Sequence, residues 1–426
     1  MFSRALSQGP IGVLGPIELA EFRDYLYPGA LESSPPRGMG GTPVTLLCKE
    51  LLNRGHQLVI FSLDPSVETE RSFDGQQLRI YFGPYTRKGA ADFFKKERQF
   101  LARAIRRESL TCIHAHFTYK YALAAVESGL PHVVTAHDAP INCLRHAFIP
   151  FKTARNFAGY YRTSRSIAFR MVRTLIAYKA VRNAQRLVAV SPYVVDHLRK
   201  YRFRAGPIDV IPNGMPGAHF ERPRKIHSGR PITFATVLVG WGGLKNGSAA
   251  IQAFAKVRQI LPDAQMLMFG TGHSSDEPAA VWARQRGWDM GIEFVGQIPY
   301  GELLDLLSHR VDVLVHPSLE EAHPMPLIEA MSFGIPAIGG NTAGGVPWTL
   351  GYGRYGVLVD VLSPDQIAAA MLRLAEDDDT RYKLGTAARE FLKSRFHISK
   401  VAEQYEAIYA QLAGQASHRR EVLKGA

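Results

Sequence analysis

The stretch VDVLVHPSLEEAHPMPLIEAMSFGIPAIGGNTAGGVP, residues 311–347, decides the fold class. It opens with an apolar run, Val311–Val315, whose length and β-branched content predict a buried parallel strand. A polar loop follows, and Pro326 predicts the start of a helix, because a residue without an N–H suits the first turn. Gly334 predicts the end of that helix, and Ile335–Ile338 predicts the next strand. This order of strand, helix and strand indicates a parallel α/β sheet.

Two glutamates in this stretch are candidates for ligand contacts. Glu321 lies in the loop, and Glu329 lies about one turn into the helix. A free helix N-terminus at the carboxyl end of a parallel strand binds anions, because unpaired N–H groups and the helix dipole point at the ligand. A carboxylate one turn deeper can accept hydrogen bonds from two ribose hydroxyls. Together these features fit a nucleotide diphosphate, although surface helices also begin with acids for no ligand-related reason.

Length and composition indicate a globular protein of two or three domains. The chain has 426 residues, of which 46% are hydrophobic and 21% are charged. No run approaches the roughly 18 apolar residues of a membrane span, and the N-terminus lacks the features of a signal peptide. Its three cysteines, Cys48, Cys112 and Cys143, show no metal-ligand spacing and are too few for a disulfide framework. We therefore expect a protein of the reducing cytoplasm.

The net charge of +13 is concentrated in the N-terminal half. Residues 1–220 carry 30 Lys and Arg against 16 Asp and Glu, and the remaining residues carry 21 against 22. Between Asp138 and Asp196 there is no acid, whereas basic residues recur through residues 145–186. Such a stretch can attract anionic lipid, nucleic acid or an anionic acceptor, or it can be a solvated helix face. We expect an anionic membrane surface as the partner of residues 145–186.

Alternating strands and helices fill residues 1–214, which predicts one α/β domain. Gly40 and Gly41 precede an amphipathic helix and could let the backbone approach a ligand closely, although most glycine clusters are turns. Before these glycines, the residues between Leu14 and Gly38 are interpreted as a loop. His137 follows the strand predicted at His132–Thr135, where a parallel sheet delivers side chains to its ligand.

A second α/β domain is predicted for residues 231–398, after an unpatterned linker at residues 215–230. Its first strand leads into the loop GWGGLKNG, in which Lys245 could contact a pyrophosphate while the glycines allow close approach. Gly270 and Gly272 follow the strand predicted at Gln265–Phe269. Residues 399–426 predict a last amphipathic helix with a basic tail.

These motifs together resemble glycosyltransferase family 4. The Glu-x7-Glu spacing between a strand ending in His-Pro-Ser and a helix reading Leu-Ile-Glu-Ala-Met is similar to the donor site of that family. Gly-Gly before the first helix, Thr-x-His-Asp at 135–138 and Val-Ile-Pro-Asn-Gly at 210–214 are similar to its first domain. The resemblance covers residues 38–412. It implies the GT-B fold, in which two Rossmann-like domains face each other and a C-terminal helix returns to the N-terminal, acceptor-side domain.

The resemblance implies transfer of a sugar, with retention of anomeric configuration, from a UDP- or GDP-sugar to a glycan or lipid-linked acceptor. It implies neither a cofactor nor a bound metal. His137 would position the sugar, and Glu321 would hold its hydroxyls or favour an oxocarbenium-like transition state. The donor-binding residues that it implies are Gly40, Gly41, Lys245, Gly270, Gly272, Met325, Pro326, Leu327 and Glu329.

The sequence departs from the family pattern at four places. The segment before Gly38 is longer than the tight loop common in the family and could shape the acceptor side. Gly240-Trp241 stands where the family has a phosphate-binding arginine, about five residues before the lysine. Ala322-His323-Pro324 replaces the more usual Gly-Phe-Gly, and Gly344-Gly345-Val346-Pro347 lacks the glutamate that often follows. One Asp-x-Asp match, Asp377-Asp378-Asp379, could bridge a metal to a diphosphate, but its place between two late helices predicts helix capping instead.

Three other functions use features of the same sequence. A GT-B nucleotide-sugar epimerase would act on the donor without an acceptor. A nucleic-acid-binding protein would explain the basic half, but the chain contains no recognition motif and we expect no nucleic acid partner. A two-lobed sugar-binding protein would be exported, and no export signal is visible. The site residues favour the transferase over these three.

Overall fold

The computed structural model describes residues 9–31, 35–146, 148, 157–221 and 230–424. The described residues form two compact units, one within residues 1–214 and 398–426 and the other within residues 215–397. Each unit is a parallel α/β sheet flanked by helices. The α/β fold class, with two such domains and a C-terminal helix that returns to the first, is therefore confirmed.

The first unit contains an eight-stranded sheet in the described part of the chain. The strands are β1 (Ile11–Leu14), β2 (Leu58–Asp64), β3 (Arg71–Asp74), β4 (Leu78–Pro84), β5 (Cys112–His116), β6 (His132–Ala136), β7 (Arg186–Ala189) and β8 (Asp209–Val210). Their order across the sheet is β3-β4-β2-β1-β5-β6-β7-β8. All neighbours are parallel except β3, which is antiparallel to β4. The central strands are buried along their whole length because helices cover both faces of the sheet.

The helices of this unit follow the strands as crossover connections. They are α1 (Thr42–Asn53), α2 (Lys95–Arg106), α3 (Lys120–Glu127), α4 (Pro140–His146), α5 (Phe157–Asn183) and α6 (Pro192–Lys200). The residues between Leu14 and Gly38 were expected to form a loop, but Leu19–Tyr25 is a 3-10 helix. Leu19 and Phe22 are fully buried there, and they anchor the segment in the core beneath α1.

The second unit contains a six-stranded, entirely parallel sheet within residues 230–397. The strands are β9 (Thr233–Val237), β10 (Gln265–Phe269), β11 (Ile292–Gly296), β12 (Val313–His316), β13 (Ala337–Gly340) and β14 (Val357–Val359). Their order is β11-β10-β9-β12-β13-β14. The chain therefore builds the sheet outward from β9 to one edge and then from β12 to the other. β9 and β12 flank the point where the strand order reverses, and in open α/β sheets ligands bind beyond the carboxyl ends of the strands at such a point.

Eight helices accompany this sheet in the described residues. They are α7 (Gly217–Glu221), α8 (Gly247–Ile260), α9 (Pro278–Arg284), α10 (Tyr300–Arg310), α11 (Met325–Ser332), α12 (Val346–Thr349), α13 (Pro364–Glu376) and α14 (Asp378–Arg395). The Asp377 side chain accepts a hydrogen bond from the Thr380 amide at 2.8 Å and caps α14. The interpretation of this acidic run as a helix cap is confirmed.

The segment predicted as an unpatterned linker, residues 215–230, begins with structure that belongs to the second unit. The helix α7 occupies part of it, and the buried Phe220 ring lies parallel to the His397 ring at 5.8 Å. His219 stacks on Phe333 at 5.2 Å. The linker prediction was therefore wrong for residues 217–221, where two buried rings hold the chain against the domain. Residues 222–229 lie outside the described residues.

The last helix, α15 (Ile398–Lys424), packs in the core of the first unit. Val401, Tyr405 and Tyr409 are buried among residues of β1, β2 and α1. Glu406 accepts hydrogen bonds from the Arg54 guanidinium at 2.9 and 2.8 Å and contacts His56 Nε2 at 2.7 Å. Because Arg54 and His56 directly follow α1, this contact fixes the two helices together.

Candidate functional site

The loops after β9 and β12 are joined at the reversal point of the second sheet. The Leu319 amide donates to the Leu244 carbonyl at 2.8 Å, and Asn246 Nδ2 donates to the Pro317 carbonyl at 3.1 Å. These bonds bring together Lys245 and Glu321, which are 76 residues apart in the sequence. The sheet topology therefore creates a charged pair at the position where ligands bind in this class of sheet.

Lys245 Nζ donates a hydrogen bond to Glu321 Oε1 at 2.7 Å. His316 Nε2 lies 3.3 Å from the same oxygen, within ion-pair range but without hydrogen-bond alignment. Burial raises the pKa of Glu321, but the Lys245 ammonium and His316 outweigh it, and the pKa lies well below its ordinary value. Glu321 is therefore an ionised carboxylate at neutral pH, balanced by one ammonium.

His316 is a member of this site that the sequence prediction did not include. It is the last residue of β12 and only 1% exposed, and neither ring nitrogen has a hydrogen-bond partner among the described residues. The sequence signal was a polar residue ending an apolar strand. His316 was used only as part of a family motif, because a lone histidine is more often a packed residue than a ligand.

Glu329 lies on α11 and is 3% exposed. The Tyr300 hydroxyl, at the start of α10, donates to Glu329 Oε1 at 3.1 Å. Burial raises the pKa of Glu329 to about 7, although the hydrogen bond from Tyr300 acts in the opposite direction. Glu329 thus has one hydrogen-bond donor from the protein and can accept others from a ligand. Tyr300 could not be predicted as its partner, since nothing in the sequence brings α10 next to α11.

The N-terminus of α11 lies in the same loop region. The helix begins at Met325, one residue earlier than predicted, with Pro326 in its first turn. No side chain caps it, and the first bond along the helix runs from the Ile328 amide to the Pro324 carbonyl at 3.4 Å. The first-turn amides of Met325 and Leu327 have no acceptor within the helix. They are oriented as an anion-binding helix terminus requires.

The residues that depart from the family pattern form aromatic contacts in the structure. Trp241 packs against His273 and Trp282, with ring centroids 5.9 and 5.6 Å apart. His323 packs against Trp348 and Phe396 at 5.2 and 4.9 Å. An aromatic cluster therefore occupies the place of the expected arginine, and Trp241 contributes no charge to the site.

Gly270 is required for a close approach of two backbone segments. Its φ is +104°, and a Cβ at this position would lie 1.9 Å from the Leu238 carbonyl oxygen. The turn holds the strand end of β10 against the loop that leads to Lys245. Gly272, two residues later, lies beside Trp241. The structure thus gives Gly270 a role in shaping the loop, whereas its donor-binding role stays a prediction.

Gly270→Ala is expected to lower the free energy of unfolding by roughly 3 kcal/mol or more, since a backbone clash adds to the cost of a left-handed residue. Gly287→Ala is the matched control, because Gly287 also has a positive φ, +66°, but has open space around it. The control is expected to lose only about 1–2 kcal/mol. Urea unfolding of both variants measures the difference. Equal losses would show that the close contact with Leu238 does not matter.

In the first unit, Gly41 has a φ of +98° and lies directly before α1. A Cβ there would lie 2.1 Å from the Pro16 carbonyl oxygen, so glycine allows α1 to begin close to the end of β1. Gly40 has open space around it. No side chain in the described ranges caps α1, and Gly40 and Gly41 at its start are half-buried.

His137 follows β6 and belongs to a cluster of three histidines. His137 Nε2 and His116 Nδ1 share a hydrogen bond at 3.0 Å, and the His116 ring lies 3.9 Å from the His114 ring. His114 in turn bonds the Tyr409 hydroxyl at 2.7 Å and Thr135 Oγ1 at 2.8 Å. Burial lowers the pKa of both His137 and His114 to about 3 and holds the pKa of His116 well below its usual value. His137 is therefore neutral, and Tyr409 from α15 supports it through His114 and His116.

Two family models match the chain. The model described as Glycosyltransferase Family 4 matches residues 40–216, and the model described as Glycosyl transferases group 1 matches residues 239–391. The chain is 30% identical over 267 residues to a D-inositol 3-phosphate glycosyltransferase of Corynebacterium kroppenstedtii, a match that covers 58% of each chain. The chain thus spans little more than half the length of that relative.

Solved structures show the same fold. Sucrose-phosphate synthase from Thermosynechococcus elongatus superposes with a TM-score of 0.71 at 18% identity, over 96% of this chain and 100% of that chain. Anabaena HepE in complex with UDP-glucose superposes with a TM-score of 0.63 at 14% identity, over 96% and 100%. These likenesses confirm the GT-B fold class. The two family models, which together match most of the chain, show that it belongs to glycosyltransferase family 4, the group 1 glycosyltransferases.

Proposed function

We propose that this protein transfers a sugar from a nucleotide diphosphate sugar, UDP- or GDP-linked, to an acceptor, with retention of anomeric configuration. The observation that carries the proposal is the Lys245–Glu321 pair at the reversal point of the second sheet, at 2.7 Å, in the loop before the uncapped α11. One ammonium and two free amides suit a diphosphate. Glu329, with one donor from the protein, suits the ribose hydroxyls. The likeness in fold to a protein solved with UDP-glucose supports this donor class.

In the proposed mechanism, Lys245 and the α11 amides stabilise the leaving diphosphate. Negative charge grows on that group as the bond between sugar and phosphate breaks, and fixed positive groups stabilise it most in a site that excludes water. A diphosphate competes with Glu321 for the Lys245 ammonium. Glu321 stays ionised and is then available to a sugar hydroxyl or to positive charge at the anomeric carbon. These groups carry the proposed reaction without a cofactor or metal.

His137 is proposed to position the donor sugar through a hydrogen bond. A neutral imidazole offers one N–H donor and one acceptor nitrogen. Since Nε2 is engaged with His116, Nδ1 is the nitrogen that remains for a ligand. Gly40, Gly41 and the start of α1 are proposed to offer backbone amides to the phosphates.

The reaction is tested by incubating the protein with UDP- and GDP-sugars, with and without glycan and lipid-linked acceptors. The transferase releases nucleotide diphosphate in proportion to the acceptor and forms a product of unchanged anomeric configuration. The alternative, an epimerase, converts the donor sugar without any acceptor. Conversion without an acceptor, or nucleotide release that no acceptor stimulates, would contradict the transferase proposal.

We also propose that the protein binds the cytoplasmic face of an anionic membrane, where its acceptor is a lipid-linked glycan or a polysaccharide precursor. The described part of the acid-free region supports this. Along α5, Met171, Leu175 and Tyr178 are exposed by 52%, 59% and 38% at a spacing of about one helical turn, with Lys179 and Arg182 close by. None of the helices in the described ranges is long and apolar enough to cross a bilayer. Residues 149–156, which include two basic residues of the predicted surface, lie outside those ranges.

Replacing Met171 and Leu175 by Glu is expected to lower partitioning onto phosphatidylglycerol vesicles by about tenfold or more, because charge replaces apolar area at the lipid surface. The matched control replaces Met290 and Leu362 by Glu. These two residues are 67% and 71% exposed in the second unit. Vesicle co-sedimentation at low salt measures both. The membrane proposal fails if wild type shows no preference for anionic lipid or if both double variants lose the same amount.

A further inference from the structure

A groove of about 670 Å³ lies in the first unit where α5 and α6 end. Four guanidinium groups and two aromatic rings account for most of its lining, and no acidic residue contributes to it. The arginines and rings are Arg182, Arg199, Arg202, Arg204, Tyr178 and Phe203. A pocket of this size holds a small molecule or the head group of a larger one. None of these six residues belongs to the proposed donor site.

Two of the four arginines are held in place by neutral partners. Arg204 Nη1 donates to the carbonyls of Val181, Arg182 and Ala184 at 3.4, 3.2 and 2.8 Å, at the end of α5. Arg182 Nη1 donates to the Tyr178 hydroxyl, and the Tyr178 ring lies edge-on to Phe203 at 5.5 Å. These contacts orient the side chains but leave both positive charges unneutralised.

The guanidinium groups of Arg199 and Arg202 make no hydrogen bond and no ion pair with any residue that the structure describes. Cations are favoured near the C-terminus of a helix, and the ends of α5 and α6 account for part of this clustering. That effect does not explain Arg202, whose φ is +55°. Arg202 follows the end of α6 in a Schellman motif, in which the Phe203 amide donates to the Leu198 carbonyl at 2.9 Å. Glycine is the preferred residue at this position.

Two features of the groove favour a bound anion. Four like charges line one pocket without an acid, and a left-handed conformation is adopted by an arginine rather than a glycine. Guanidinium groups bind phosphate oxygens through paired N–H donors with good geometry. We propose that the groove binds a phosphate-bearing ligand. This site is independent of the proposed sugar transfer and is tested separately.

A free phosphate compound and a phospholipid head group share this chemistry. The exposed Leu175 lies on the same helix, one turn before Tyr178, so a lipid head group would bring its apolar part close to an apolar surface. A free polyphosphate requires only the arginines. Binding of inorganic pyrophosphate and binding to vesicles separate the two sources.

The test is calorimetric titration of inorganic pyrophosphate into protein that carries Lys245→Gln, which removes the lysine of the donor site. The groove variant is Arg199→Gln with Arg202→Gln. The matched control is Arg103→Gln with Arg106→Gln, because both arginines are exposed on α2 of the same unit and do not line the groove. We expect the groove variant to bind pyrophosphate at least tenfold more weakly, and the control to change by less than twofold.

A second variant keeps the test valid if the double variant folds poorly. Arg202→Gly places the preferred residue at the left-handed position, so stability is expected to stay equal or to rise while affinity for the anion falls. A purely structural role for Arg202 predicts that stability and binding change in the same direction.

Flotation with phosphatidylcholine vesicles, with and without phosphatidylglycerol, forms the second arm. Loss of pyrophosphate binding in the groove variant alone identifies a free phosphate ligand. If none of the proteins binds pyrophosphate and only the groove variant loses vesicle binding, the ligand is a lipid phosphate. Absence of both kinds of binding, or equal losses in the groove variant and the control, would overturn the proposal.

Discussion

Lys245→Ala is expected to lower kcat/KM for the sugar donor by about 10²–10³-fold, the range found when one preorganised charge-stabilising donor is removed. The substitution removes the ammonium that the proposal assigns to the leaving diphosphate. It also leaves the Glu321 carboxylate, now 2.7 Å from Lys245 Nζ, without its cation. Steady-state rates with the preferred donor measure the loss. The matched control is Lys256→Ala on α8, an exposed lysine paired with Asp365, which is expected to stay within twofold.

A double variant separates the two consequences of losing Lys245. In Lys245→Ala with Glu321→Gln, no unpaired carboxylate remains, so the free energy of unfolding is expected to recover. The rate is expected to stay low, because the proposed reaction uses both Lys245 and Glu321. Recovery of the rate together with stability would mean that Lys245 matters only as the partner of Glu321. A rate within threefold of wild type in Lys245→Ala alone would place the diphosphate elsewhere.

The free energy of unfolding of wild type is expected to fall by about 2.5 kcal/mol between pH 5 and pH 8 because of Glu329, and Glu329→Gln is expected to lack this fall. Burial raises the pKa of Glu329 from 4.5 in the unfolded chain to about 7. Between these values the native state holds a proton that the unfolded state has lost, so unfolding becomes easier as pH rises through this window. A shift of this size corresponds to about 3.4 kcal/mol over the whole titration at 1.36 kcal/mol per pKa unit, of which about 2.5 kcal/mol falls between pH 5 and pH 8. Glutamine carries no titrating proton and removes the loss.

Urea unfolding at pH 5, 6, 7 and 8 measures this difference between wild type and Glu329→Gln. Glu302→Gln serves as the control, because Glu302 is exposed on the same helix as Tyr300 and its replacement is expected to change the pH dependence little. If the free energies of unfolding of wild type and Glu329→Gln differ by the same amount at every pH, Glu329 titrates normally. The carboxyl would then be hydrated rather than buried beside Tyr300.

The parts of the fold that were predictable are those with a continuous hydrophobic pattern. Val313–His316, Met325–Ser332 and Ala337–Gly340 lie within two residues of their predicted starts, and Gln265–Phe269 has the predicted bounds. Each combines an apolar run with a clear end signal. The edge strand Arg71–Asp74 was missed, because only its Phe73 is buried and an antiparallel edge needs no apolar run.

The candidate site was predictable as a set of loops but not as a set of contacts. Lys245 and Glu321 were both assigned to the donor site from their motifs, and the structure joins them directly. His316 and Tyr300 were missed because their roles depend on which strands and helices are neighbours. The same is true of Tyr409, whose hydroxyl reaches the histidine cluster from a helix about 300 residues later in the chain. A long-range contact of this kind leaves no local periodicity.

The most direct test of the account is calorimetric titration of UDP, GDP and ADP into wild type, Glu329→Ala and Lys245→Ala. The account predicts that one of these nucleotides binds wild type at least tenfold more tightly than the other two, whose diphosphates bind only the groove, and the tight nucleotide identifies the base of the donor. It predicts that each variant weakens that binding at least tenfold, whereas Arg199→Gln with Arg202→Gln leaves it unchanged. Failure of all three nucleotides to bind, or binding that both single variants leave intact, would contradict the assignment of the donor site to the second domain.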